Sequence, residues 1–357
     1  MLTRLQSLRD PFRTHYLQYL PLIVSVLLYI GATAAYIFTH DKWSIVRIGL
    51  YSPLASIFLI LLLLAAVWWY VYLVLSAMLG ERQGAFQHAW RQWRNTVTLP
   101  RVVGLVLPVI LISVFNSLYT SFKATIGHTV PYRFDALLAE LDRSLHGGID
   151  PWRITHELVP TTAATQIIDL FYTAWFFIMW GFLFWQVLRL NRPVQRQQLI
   201  LSYVLSWSIV GSLFAYLLAS AGPCYYGMVT DGPDVFAPLM ERLQQMKAEL
   251  LSYGDWRDLG ALNGQEYLRR GYLAGEVVAG GGISAMPSMH VSMATLFMLS
   301  AWQVNRLFGW IMLGYLLVIL FGSVHLGWHY AVDGYLSVLL TIIIWLFAGW
   351  VVRLSQP

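Results

Sequence analysis

Eight runs of mostly apolar residues constrain this chain more than any other feature. They lie at roughly 17–39, 48–78, 102–122, 165–188, 199–221, 287–302, 308–326 and 329–352. A helix needs about 20 such residues to cross the hydrocarbon of a bilayer. The run at 48–78 is long enough to tilt or to project beyond it, and the run at 287–302 is short. No small-residue cleavage site follows Thr39, so the first run reads as a retained span. Composition agrees. The chain is 58% hydrophobic and 11% charged, against about 25% charged in a soluble domain. That excludes a soluble globular protein, and it excludes disorder, which needs low hydrophobicity and high charge. The 16 Trp fit rings placed at membrane–water interfaces. A single cysteine, Cys224, excludes an internal disulfide and a multi-thiolate metal site.

Charge placement sets the expected topology. With the N-terminus inside, the inner segments hold Arg4, Arg9, Arg13, Arg82, Arg91, Arg94, Arg101, Arg189, Arg192, Arg196, Arg306 and Arg353 against Asp10 and Glu81. The outer segments are net acidic. This is the positive-inside pattern, and an even number of spans places both termini in the cytoplasm. The basic excess is thereby explained by the membrane, and no nucleic-acid partner is expected. The fold class read from the sequence is an all-α integral membrane protein of about eight transmembrane helices.

Two outer loops are long. In 123–164, Phe134, Leu137, Leu138, Leu141 and Leu145 fall on one helical face, with Asp135, Glu140 and Asp142 elsewhere. In 222–286, Phe236, Leu239, Met240, Leu243, Met246 and Leu250 repeat the pattern. Each is expected to pack on the membrane domain or to lie in the interface plane as an amphipathic helix. The second loop ends in the glycine run Gly280–Gly282.

Ionisable residues at membrane depth are costly and therefore mark function. Here they gather at the outer ends of the last three spans: His290 in Pro287-Ser288-Met289-His290, then His325, His329 and Asp333. Pro287 suits the first position of a helix, whose free N–H groups form an anion site, to which Ser288 adds a hydroxyl. His329 and Asp333, at i and i+4, share a helix face. A carboxylate there fixes the imidazole tautomer and leaves the other nitrogen to act as nucleophile or base. Two histidines and a helix start suit phosphoryl transfer without a metal. His325, one turn from His329, is read as a phosphate ligand or a loop cap. Asp169 is expected to satisfy a buried hydrogen bond, and Cys224 to pack.

At these residues the chain resembles the type 2 phosphatidic acid phosphatase superfamily. Pro287-Ser288-Met289-His290 is similar to its second motif, Pro-Ser-Gly-His. The stretch ending His329-Tyr330-Ala331-Val332-Asp333 is similar to its third, Ser-Arg-x5-His-x3-Asp. The resemblance implies a helical membrane core and a phosphohistidine mechanism. His329 would be the nucleophile, His290 the general acid, Asp333 the orienting carboxylate, and Ser288 and the Met289 N–H phosphate ligands, with no cofactor or metal. Gly322 and Ser323 stand where the third motif has Ser-Arg, so its phosphate-binding arginine is missing. Arg269 or Arg270, nearest in sequence to the glycine run, is expected to replace it, with His325 assisting. The departures point to a branch resembling inositol phosphorylceramide synthase, with motifs closer to Pro-Ser-x-His and His-Tyr-x-x-Asp. The resemblance divides the chain into N-terminal transmembrane helices (1–122) and a catalytic membrane domain (123–357). It implies a phospholipid or other lipid-phosphate substrate and cleavage at the outer face, with transfer to water or an acceptor alcohol. A lipid transporter or flippase is the alternative. Short loops favour a bacterial plasma membrane, with the site facing the periplasm or the outside.

Overall fold

The computed structural model describes residues 17–80, 83–254 and 257–355. Arg4, Arg9, Arg13, Arg82, Asp10 and Glu81, on which the inner charge balance partly rests, lie outside the described residues. Apart from one- and two-turn pieces, the described residues form α1 (Leu20–Thr39), α2 (Ser52–Leu79), α3 (Ala85–Thr96), α4 (Leu99–Lys123), α5 (Asp135–Leu145), α6 (Pro151–Leu158), α7 (Thr162–Thr173), α8 (Trp175–Leu188), α9 (Pro193–Ser208), α10 (Ala237–Ser252), α11 (Gly260–Ala274), α12 (Met289–Trp302), α13 (Arg306–His325) and α14 (Ala331–Leu354). No strand occurs among them. Seven segments are long and apolar enough to cross a membrane, with α7 and α8 together forming one and α4 running on to Thr129. The 14-residue α12 is a shorter eighth apolar helix. The chain is therefore an all-α integral membrane protein.

Local chemistry explains where these helices begin. Pro21, Pro53, Pro100 and Pro193 stand in the first turns of α1, α2, α4 and α9, where a missing N–H costs nothing. Burial then sorts the helices. α2 is apolar all round and exposes Leu61, Leu64 and Trp68, the pattern of a lipid-facing span. α9 opens the hub: the span Pro193–Leu217 that it begins is mostly buried, whereas α2 is mostly exposed. Its Arg196 is buried, donating to the Val187 and Gly104 carbonyls and to the Tyr19 hydroxyl. α3, absent from the span count, folds back on α2, where Trp93 Nε1 donates to the Ala66 carbonyl.

The long connections share one end of the bundle. Tyr36 bonds Thr129, Tyr51 bonds Thr120, and the Gly280 N–H donates to the Tyr51 hydroxyl. The two amphipathic segments behave differently there. α10 turns Leu239, Leu243, Met246 and Leu250 inward, so it packs on the bundle. α5 does the reverse of an apolar face seeking a core. Leu137, Leu141 and Leu145 are exposed, while Asp135 and Asp142 are buried. Beside a bilayer, leucines can face lipid, and the polar face is free to serve backbone donors inside the protein. Asp135 accepts from the N–H groups of Ala221 and Gly222 and from the Tyr330 hydroxyl. Asp142 accepts from the N–H groups of Ala331 and Val332 at 2.7 and 2.9 Å. One helix thus holds the backbone on both sides of a single cavity.

Candidate active site

Two helix starts define the site, and both differ in register from the sequence reading. α12 begins at Met289, so Pro287 precedes the helix instead of opening it. Ser288 is the N-cap, and its Oγ accepts from the Val291 N–H at 3.4 Å. The amide groups of Met289 and His290 in that first turn have no partner among the described residues. α14 begins at Ala331, so His329 lies before the helix and does not share a helix face with Asp333. Asp333 sits instead in the first turn and caps it, with Oδ2 accepting from the Tyr330 N–H at 3.1 Å. The same oxygen lies 3.2 Å from His329 Nδ1. A carboxylate can only accept, so Nδ1 carries the proton and Nε2 is left with its lone pair. The two motifs are tied together where the Ser288 N–H meets the Asp333 carbonyl at 3.4 Å.

His290 and His329 both line a cavity of about 320 Å³, their ring centroids 6.4 Å apart. The His290 ring packs against Tyr172 and Trp175, with centroids at 4.7 and 4.1 Å, beside the break between α7 and α8 at Ala174. Met289, Trp328 and Tyr225 also line it, and burial pushes the Tyr225 phenol pKa far above its ordinary range. The glycines of this region allow close approach. A Cβ on Gly282, at φ +88°, would come within 2.8 Å of the Lys123 backbone, and one on Gly222, at φ +96°, within 2.7 Å of the Trp328 carbonyl. The His329 side chain is buried and His290 is half-buried.

The remaining expected site residues fall elsewhere. Ser288 is fully buried and does not line the cavity. His325 is held by other groups. Its Nε2 is 2.9 Å from Thr165 Oγ1, its ring stacks on His156 at 3.9 Å, and His156 Nε2 donates to its carbonyl. Arg269 and Arg270 are exposed on α11, outside the cavity lining, and both bind Glu266. Those two guanidinium groups hold the Glu266 carboxyl down at about 2. Among the described residues lining the cavity, the Lys or Arg present is Lys123, at the end of α4, which makes no hydrogen bond or ion pair with the others. The sequence signal that distinguishes Lys123 is its place at the end of an apolar membrane span, whereas Arg269 and Arg270 lie on α11, outside one. The aromatic wall, Tyr172, Trp175 and Phe176, was visible as a cluster in the fourth run but was not assigned. Asp169 caps α11, accepting from the Gly260 and Ala261 N–H groups. No group of three or more His, Cys, Asp or Glu that could hold a metal ion occurs among the described residues.

A membrane-spanning helical bundle that brings two histidines to one cavity, one of them bonded to a carboxylate, has parts suited to phosphoester chemistry on a lipid. Residues 136–347, more than half of the chain, match the PAP2 superfamily, and the protein belongs to it. That membership supports a lipid phosphatase-type function. Comparison with curated proteins and with solved structures gives no match.

Proposed function

We propose that the cavity cleaves a lipid phosphoester through a phosphohistidine on His329. The observation that carries this reading is the facing pair, His290 and His329, with His329 bonded through Nδ1 to Asp333. Nε2 of His329 attacks phosphorus, forming an N–P bond as the bond to the lipid alcohol breaks. The departing oxygen keeps the electron pair and takes a proton from His290. Water or an acceptor alcohol then attacks the phosphohistidine. Its O–H proton passes to His290, the N–P bond breaks, and the enzyme is restored. Lys123 and the free N–H groups of Met289 and His290 supply positive potential to the phosphoryl oxygens. This assigns the charge of the missing motif arginine to Lys123, in place of Arg269, Arg270 and His325. The reaction needs no metal in this scheme.

The acceptor decides between a phosphatase and a headgroup transferase like inositol phosphorylceramide synthase. The topology read from charge puts the cavity at the outer face of a bacterial plasma membrane and both termini in the cytoplasm, with 1–122 as accessory spans to a catalytic domain over 123–357. The test is purified protein in liposomes with labelled lipid phosphomonoesters and phosphodiesters, with and without a lipid alcohol, in the presence of chelator. Release of phosphate or a new headgroup lipid, lost in His329→Ala, is the expected result. Turnover that survives His329→Ala or vanishes with chelator contradicts the scheme.

A further inference from the structure

A second chamber of about 270 Å³ adjoins the first. The two share Tyr119, Lys123, Phe176, Ala279, Gly280, Met289 and His290, but His329 lines only the first. Its remaining wall is largely apolar and lies between α2, α4, α8 and α9, with Leu54, Met179, Trp180 and Trp207 as the main surfaces. The polar groups Asn116 and Tyr203 satisfy each other at 3.0 Å. A separate small apolar cleft, which shares Tyr51, Leu54 and Trp180 with the chamber, lies beside Val109, Phe184 and Val187, further along the same helices.

In an in-line displacement the leaving group departs on the face opposite the nucleophile, and the acid that protonates it stands there. The chamber that touches the proposed acid and not the proposed nucleophile is therefore on the leaving-group side. We infer that this second chamber holds the hydrocarbon chain of the lipid alcohol that leaves phosphorus and, by microscopic reversibility, the chain of any acceptor alcohol. The inference rests on the proposed roles of His290 and His329. It also assigns a task to the N-terminal spans, because Tyr51, Leu54, Asn116, Thr120 and Lys123 all precede residue 136, where the PAP2 superfamily match begins. Selection for the chain is thus shared between residues inside the matched region and residues before it.

The test uses the full-length protein in liposomes and a hexadecyl phosphate carrying a mid-chain diazirine. Photolysis should label Leu54, Asn116–Thr120 or Met179–Trp180. Label confined to the far wall of the first cavity, around 260–268, overturns the inference. A second arm is Leu54→Trp, which fills the chamber. Excluding a methylene from apolar contact costs about fourfold, so loss of two lowers the ratio of kcat/KM for hexadecyl over butyl phosphate by roughly tenfold or more. An unchanged ratio contradicts the chamber. His329→Ala separates the two ideas: label at the second chamber with turnover intact in that variant removes the catalytic reading, whereas label elsewhere with turnover abolished removes the chamber alone.

Discussion

Replacing Asp333 by Asn and by Ala separates its charge from its hydrogen bonds, because Asn can keep both bonds and Ala keeps neither. Asp333 is fully buried and its Oδ2 serves two donors, the His329 ring at 3.2 Å and the Tyr330 N–H at 3.1 Å. In Asp333→Asn the amide oxygen can take the place of Oδ2 and keep both bonds, with the NH2 group where Oδ1 has no partner among the described residues. His329 then keeps its proton on Nδ1 and its lone pair on Nε2, but it loses the negative charge beside the ring. A hydrogen bond to a charged group is stronger than a neutral one by about 1–1.5 kcal/mol, so turnover should fall by roughly tenfold. Asp333→Ala removes the charge and the bond that fixes the tautomer, so it should retain less activity than Asp333→Asn. Stability runs in the same order. Ala leaves the Tyr330 N–H unsatisfied at the start of α14, a cost of about 1–3 kcal/mol, whereas Asn keeps that bond. The assay is lipid turnover in liposomes beside thermal unfolding in detergent. If both variants turn over lipid at the wild-type rate while Asp333→Ala alone loses stability, Asp333 serves only the helix cap.

Other consequences follow from the same geometry. Lys123→Ala should weaken vanadate inhibition and slow turnover, while Arg269→Ala and Arg270→Ala should leave both near wild type; vanadate titration of the three variants checks this, and the reverse order would restore the arginines. His290→Ala should slow a poor leaving group by on the order of 10²–10⁴-fold, with partial rescue on a nitrophenyl phosphate, and equal losses on both substrates would make His290 a positioning group. Asp142→Asn should lower stability by on the order of 2 kcal/mol, since an amide offers one acceptor to the Ala331 and Val332 N–H groups where the carboxylate offers two. Burial raises the Asp142 pKa, so its ionisation costs folded stability: the wild-type advantage over Asp142→Asn should be largest near pH 4 and shrink as pH rises through the raised value, which thermal unfolding at both ends of that range measures.

The spans were legible because a membrane helix is specified by local composition, and the apolar runs fall on the observed helices within a few residues. The proposed catalytic positions His290, His329 and Asp333 stood out for a similar reason, being ionisable groups at span ends. What the sequence hid was set by three-dimensional packing. Periodicity placed Leu137, Leu141 and Leu145 on one face of α5 but could not say that this face turns outward while Asp135 and Asp142 turn in. The spacing of His329 and Asp333 suggested a shared helix face, but the pairing forms across the helix cap, because α14 starts two residues after His329. Lys123 is far from His290 in sequence and meets it across the cavity, whereas the nearby Arg269 and Arg270 are held by Glu266. The second chamber joins helices from both halves of the chain, and no local pattern announces such a meeting.

The central claim is the covalent step on His329, and direct detection of the intermediate tests it. Wild-type protein in liposomes is mixed with a lipid phosphoester substrate labelled on phosphorus, quenched in base within the first turnovers, and digested for mass spectrometry under alkaline conditions. The account predicts an acid-labile, base-stable phospho-group on the peptide containing His329, accumulating when acceptor is scarce, absent from His329→Ala, and prolonged in Asp333→Ala if dephosphorylation becomes the slower step. Label on another residue, or full turnover in wild type with no trapped adduct and undiminished activity in His329→Ala, would contradict it.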